Sequence, residues 1–188
     1  MKNNQEPNFD IKNIKAIVGL GNPGQKYYRH RHSIGFRILD AMAEGFGSSG
    51  WQHSDKMETT TIFLPGFDEH RQSILLIKPT TYMNDSGKVF PWLQKKGIKS
   101  DQIVVVHDEL EKPFGKHILR LGGSHRGHNG LRSIIDMIGK DFWRLRFGVG
   151  RPDDKQEVPN YVLSNFPSHQ EAQLPLMINQ VITLMTRV

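Results

Sequence analysis

The chain has 188 residues and a formal charge of +6 at pH 7, with 37% hydrophobic and 23% charged residues, a balance that suits one packed domain rather than a disordered chain. Cysteine is absent, which excludes disulfide scaffolds, thiol nucleophiles and Cys-ligated zinc. The basic balance favours polyanionic partners over cationic substrates, and no stretch has the length of a membrane span or the pattern of a signal peptide, so a cytoplasmic address is expected by default.

In chain order, residues 1–13 read as a disordered N-terminal extension on composition, with the folded domain spanning 14–188. Ile14 to Leu20 is an apolar run stopped by glycines, and Ile34 to Phe46 carries Ile34, Ile38, Leu39 and Met42 at helical spacing. Glu58 to Pro65 and Gln72 to Lys78 read as an antiparallel pair joined by a loop around Gly66 and Asp68. Asp85 to Gly97 reads as a helix capped by Asn84 or Asp85 and bent at Pro91. A buried strand at Ile103 to His107, a strand at Lys116 to Leu121, a helix at Leu131 to Ile138 and a strand at Trp143 to Val149 follow. A polar loop from Asp153 to Pro159 leads to a final helix over Gln170 to Met185. The alternation predicts one three-layer α/β globule with a mixed, mostly parallel central sheet flanked by helices.

The segment Gly19-Leu20-Gly21-Asn22-Pro23-Gly24 fits the glycine pattern of dinucleotide binding. The residues that follow argue against that reading, because Tyr27, Tyr28 and a basic cluster replace an apolar helix start and Asp40 falls inside a helix. A tight turn needing glycine's backbone freedom explains the glycines but not Asn22. His30 with His32, and His125 with His128, lack the further ligands that a metal site needs, so neither metal nor cofactor is expected. With no Gly-x-Ser-x-Gly elbow, what remains is Asn22, His32, Asn84, Asp108 and Asn129, each at the end of a strand or turn. Asp108 follows a buried strand, at the edge of the sheet, where its carboxylate can orient an imidazole from another loop.

Five motifs in one order carry a resemblance: Val18-Gly19-Leu20-Gly21-Asn22-Pro23-Gly24, Arg31-His32, Lys78-Pro79-Thr80-Thr81-Tyr82-Met83-Asn84, His107-Asp108 and Gly127-His128-Asn129-Gly130, with Arg144 to Gly150 beyond them. The chain resembles bacterial-type peptidyl-tRNA hydrolases from about Ile14 to Phe166. The resemblance implies hydrolysis of the ester joining a peptide to the terminal ribose of tRNA, by a monomer without metal or protein partner. His32 would activate water, Asp108 would orient its ring, and Asn22 would hold the water or the ester. Asn84 and Asn129 would be substrate-binding amides, Met83 would line the peptide cleft, Tyr27 would stand beside the catalytic loop, and Tyr27 and Tyr82 would both belong to the substrate-binding set. Arg120, Arg146 and, more loosely, Lys116 would contact tRNA phosphates.

The pattern also departs from the family. Ser33 stands where asparagine is usual, Glu109 where aspartate is common and Arg126 where glycine is usual; the last is a candidate for an added phosphate contact. Two alternatives stay open: an RNA-binding relative that has lost catalysis, similar to chloroplast splicing factors, and a nucleotide-cofactor oxidoreductase.

Overall fold

The apolar run at Ile14 supplies the middle of the sheet. In the computed structural model, which describes residues 8–64 and 72–187, β1 (Ala16–Gly19) is fully buried. It pairs in parallel with β4 (Gln72–Pro79) on one side and β5 (Ile103–Glu109) on the other. β7 (Trp143–Gly148) continues the parallel set beyond β5. β3 (Met57–Leu64) and the short β2 (Gln52–His53) extend antiparallel from β4, and β6 (His117–Leu121) closes the opposite edge antiparallel to β7. The order is β2-β3-β4-β1-β5-β7-β6, the mixed, centrally parallel sheet that the alternation predicts. The expected β3–β4 hairpin is present, with Ile62 opposite Ile74, while the connection around Gly66 and Asp68 lies outside the described residues.

Two-residue alternation divides the sheet between two layers of helix. Ile17, Ile74, Leu76, Val104 and Val106 pack with Ile38, Leu39 and Met42 of α1 (Ile34–Gly45) and with Ile178 and Val181 of α6 (Leu174–Thr186). Ala16, Val18, Ile77, Ile103 and Val105 pack with Phe90 and Leu93 of α2 (Phe90–Lys95) and with Leu131 and Ile134 of α3 (Asn129–Ile138). Each of the large aliphatic side chains so buried contributes about 1.5–3 kcal/mol.

Several boundaries differ from expectation. Within the extension read as disordered, Asp10 caps a 3-10 turn over Ile11–Asn13, Ile11 is fully buried, and Phe9 packs edge-on to Trp143 at 5.1 Å. Apolar Phe9 and Ile11 have a core to join, so packing reaches back before Ile14; residues 1–7 lie outside the described set. The helix expected over Asp85–Gly97 is a 3-10 helix at Met83–Val89 followed by α2, and Pro91 opens the α-helix rather than bending it, since the first turn needs no proline N–H. The loop at Asp153–Pro159 holds a 3-10 turn at Lys155–Glu157 and the start of α4 (Val158–Val162). The final helix is divided into α5 (Ser168–Glu171) and α6, with Pro175 in the first turn of the latter. Among the described residues no helix is long and apolar enough to cross a membrane.

The glycine motif also works differently from a simple turn. Only Gly24 of that run has a positive φ, at +100°. Gly19 is needed for close approach instead, because a Cβ there would sit 2.5 Å from the carbonyl oxygen of Gly35.

Candidate active site

The four parallel strands end on one side of the sheet, where α/β folds commonly build their clefts. β1 leads into Leu20-Gly21-Asn22, and β5 ends on His107, Asp108 and Glu109. His32 sits in a 3-10 turn (Arg31–Ser33) that runs directly into α1. The first turn of α1 lies hard against the sheet: a side chain at Gly35 would collide with the backbone of Leu20 and Val106. That contact brings the imidazole of His32 to the end of β5.

There Asp108, 3% exposed, accepts from two rings on a single oxygen. His32 Nδ1 lies 2.8 Å from Asp108 Oδ1, and His128 Nε2 lies 3.1 Å from the same atom. The protons can be placed from the surroundings. His128 caps α3, its Nδ1 accepting from the Leu131 N–H at 3.3 Å, so Nε2 carries the proton that it gives to Asp108. An ionised Asp108 is acceptor-only, so His32 donates from Nδ1 and presents a basic Nε2 without a partner among the described residues. Burial works against charge on His32, but the charge and hydrogen bond of Asp108 outweigh it, and the pKa is raised above the ordinary 6.5. Burial likewise opposes ionisation of Asp108, yet the two imidazoles hold its carboxyl well below the usual range. His107, fully enclosed and bonded to the Asp108 carbonyl at 2.6 Å, is pushed down to about 3, mainly by burial, and stays neutral.

His32, Asp108 and His128 offer ligand atoms within 4.8 Å of one another, a spacing that could admit a metal ion. The donor set fits hydrogen bonding better, because both rings already point N–H groups at one oxygen, and the Leu131 N–H fixes the tautomer that makes His128 a donor.

Asn22 is held beside this pair from two directions. Its backbone N–H donates to Ser33 Oγ at 3.2 Å, and its Oδ1 accepts from the Met83 N–H at 2.9 Å. The Asn22 amide NH2 therefore remains without a protein partner among the described residues. Met83 is buried against α3, its sulfur so close to Gly130 that a Cβ there would lie 2.5 Å away. The segments carrying Asn84 and Asn129 are thus in contact, both asparagines exposed. Tyr27 and Tyr82 meet edge-on at 6.4 Å, with Tyr82 59% exposed.

A cavity of about 500 Å³ opens over His32, Asp108, His128 and Asn129. Arg120 and Arg146 line it and Lys116 does not; Lys116 sits in the turn before β6, exposed. Arg146 is bound to Glu109 through both Nε, at 2.7 Å, and Nη2. Val158, Pro159 and Val162 line the same cavity. The segment after them is tied to the turn that carries His32 by Arg31, whose Nη1 donates to Ser164 Oγ at 2.6 Å and to the Asn165 carbonyl at 2.7 Å, beneath the Tyr161 ring at 4.1 Å.

The sequence profile of the family described as peptidyl-tRNA hydrolase matches residues 16–188. The chain belongs to that family. It is 39% identical over 170 residues to the peptidyl-tRNA hydrolase of Rhodospirillum centenum, covering 90% of this chain and 73% of that protein. Identity to the peptidyl-tRNA hydrolase of Syntrophotalea carbinolica is 42% over 163 residues, 86% of this chain and 83% of that one. Two crystal structures of Acinetobacter baumannii peptidyl-tRNA hydrolase, one of them a variant, superpose with TM-scores of 0.81 and 0.85 at 34% identity, covering 95% of this chain and 91% and 90% of theirs.

Three residues of this hydrolase-family site were not assigned roles from sequence. His128 stands beside Asn129 in the same motif, but only the fold shows that its ring reaches Asp108. Ser33, a departure from the family pattern, is buried as the acceptor for Asn22. Arg31 precedes His32 and contacts residues more than a hundred positions away, for which no local signal exists.

Proposed function

We propose that the chain hydrolyses the ester between a peptide, or an N-blocked amino acid, and the 3'-terminal ribose of tRNA, through water activated by His32 and without a covalent intermediate. One observation carries this reading: the His32 Nδ1 contact to Asp108 at 2.8 Å, with Nε2 left as a base at the cavity.

The steps follow from the atoms in place. Water approaches the ester carbonyl, and His32 Nε2 takes its proton as the C–O bond forms. Asp108 stabilises the resulting imidazolium and keeps the tautomer fixed. The Asn22 NH2 donates to the developing oxyanion, a contact worth about 3 kcal/mol when well placed. The tetrahedral intermediate then collapses, the ribose oxygen leaves with the electron pair of the broken bond, and His32 returns the proton to it. Asn84 and Asn129 pair with backbone amides common to every peptide, which suits a substrate of variable sequence.

The test is release of tRNA from an N-acetylated aminoacyl-tRNA by the wild-type protein and by His32→Ala, with chelator and unblocked aminoacyl-tRNA as controls. Chelator-resistant cleavage of the blocked substrate that collapses about 10²- to 10⁴-fold in the variant is expected. Intact substrate despite salt-sensitive tRNA binding would favour the RNA-binding alternative.

A further inference from the structure

Of the Arg31-His32 pair only the histidine enters the chemistry above, yet the arginine is the less ordinary of the two. It is 7% exposed, and among the described residues no ion pair neutralises it. Its hydrogen bonds converge instead on the chain just past the end of α4. Nη1 donates to Ser164 Oγ at 2.6 Å and to the carbonyls of Asn165 at 2.7 Å and Ser164 at 3.2 Å, and the guanidinium carbon lies 4.1 Å from the centre of the Tyr161 ring.

Burying a cation is costly unless dipoles replace the water around it. Here the carbonyls that a helix leaves without donors at its C-terminal end supply them, and the aromatic face adds a cation–π contact. Two backbone contacts run alongside, the Arg31 N–H to the Ser164 carbonyl at 3.1 Å and a bridge between His30 and Asn165. Tyr161 is fixed in turn, its hydroxyl donating to the Val149 carbonyl at 2.6 Å, just past β7. The 3-10 turn Arg31–Ser33 is thus held at its first residue by the chain after α4, at its second by Asp108 and at its third by Asn22.

Resting on the hydrolase reading above, we infer that Arg31 is a positioning residue for the reaction: its guanidinium, seated on the carbonyls beyond α4, fixes the turn that aims His32 Nδ1 at Asp108 and so sets the direction of Nε2 into the cavity. Arg31 does not line the cavity; it acts through His32. A 3-10 turn has poorer hydrogen-bond geometry than an α-helix, so the directions of its side chains depend on anchors outside it. Asp108 fixes the ring at one atom and leaves it free to tilt about that contact, whereas the guanidinium fixes the backbone that carries the ring. The same anchor holds α4, whose Val158 and Val162 line the cavity, in place relative to the base. A lysine would keep the charge but not the planar fork that lies beneath Tyr161.

The experiment compares Arg31→Met, Arg31→Lys, Ser164→Ala and the double variant Arg31→Lys/Ser164→Ala with the wild type, and takes Arg37→Gln as control. Arg37 holds Glu171 through bonds of 3.0 and 2.7 Å, away from the His32 turn. kcat and KM for N-acetylated aminoacyl-tRNA are read well below each thermal midpoint, with circular dichroism reporting the fold. Arg31→Met should lower kcat about 10²-fold, the scale of a misplacement near 1 Å, with KM within about 2-fold. Arg31→Lys should recover part of that loss. Ser164→Ala, at an exposed position, should lower kcat about 2- to 5-fold, and the double variant should be no slower than Arg31→Lys, since the two residues act through one contact. Arg37→Gln should lower the thermal midpoint and leave kcat alone. Wild-type kcat in folded Arg31→Met overturns the proposal, as do additive losses in the double variant; should Arg31→Met not fold, wild-type kcat in both Arg31→Lys and Ser164→Ala is the overturning result. The second readout is the Nδ1–H proton of His32 by NMR, assigned by its absence from His32→Ala. It should exchange slowly with water in the wild type and in Arg37→Gln and be broadened in the Arg31 variants, and an equally sharp signal in both Arg31 variants overturns the proposal. That signal needs no turnover, so a protein that cleaves nothing defeats the hydrolase reading while the positioning of His32 by Arg31 is decided separately.

Discussion

Asp108 and Glu109 are neighbours at the end of β5, yet they organise opposite kinds of region. Asp108 sits under the cavity and gathers two imidazoles on one oxygen, so that every proton has an assigned place. Glu109 lines the same cavity and pairs with Arg146 there. At the centre, burial makes each hydrogen bond decide a protonation state. On the rim, the matter decided is which charges remain available to a ligand. At the rim the partner matters as much as the residue type, because an ion pair changes how much charge a ligand meets.

The comparison breaks most sharply at Asp108. Asp108→Asn should lower kcat about 10²- to 10⁴-fold while leaving KM within a few-fold. The sign of the pH effect follows from the raised pKa of His32. The base is active when unprotonated, so wild-type activity climbs with pH through a midpoint above 6.5. Without the carboxylate only burial acts on the ring, and the midpoint of the residual activity should move to lower pH. A pH–rate profile of the two proteins checks this, and an unmoved midpoint would detach Asp108 from the base. The same shift makes the His32–Asp108 contact stabilising below pH 6.5, with that contribution lost as pH rises through the raised value.

Asn22 comes next. Asn22→Ala should cost about 10²-fold in kcat, the size of a lost oxyanion donor, although part of that loss would come from freeing Met83. Asn22→Asp separates the two effects, since it keeps an acceptor for the Met83 N–H and removes the donor. Single-turnover rates equal to those of the wild type would exclude Asn22 from the chemistry.

The smallest effect tests the rim. Glu109→Gln should release Arg146 towards solvent and tighten binding of uncharged tRNA about 2- to 5-fold at low salt, with a steeper salt dependence. Weaker binding would instead mean that Arg146 contacts RNA only when Glu109 aims it.

Much of this architecture was legible in the sequence. The unbroken apolar runs of β1 and β5 and the alternation of strands with helices pointed to a doubly covered sheet, and the residues picked out at the ends of strands and turns included Asn22, His32 and Asp108. The misreadings share a physical cause, which is that local patterns do not report distant partners. Phe9 and Ile11 read as tail because Trp143 lies far along the chain. Pro91 read as a bend because its position within the helix could not be fixed until the 3-10 turn before it was seen. The bond of Arg146 to Glu109 joins two strands, and that of His128 to Asp108 joins a loop to a strand, so neither partner could be seen in the sequence.

The position of β1 carries a consequence for synthesis of the protein. β1 is translated early, but its hydrogen-bond partners are residues 75–77 on one side and 103–106 on the other. The centre of the sheet must therefore wait, apolar and unpaired, until most of the chain exists, and pairings of such sequence separation form slowly. His32 waits with it, since Asp108 and His128 arrive later still. A nascent chain that stops before Asp108 leaves His32 with no partner for its Nδ1 and the sheet uncovered, a species for chaperones or proteases rather than a weak enzyme.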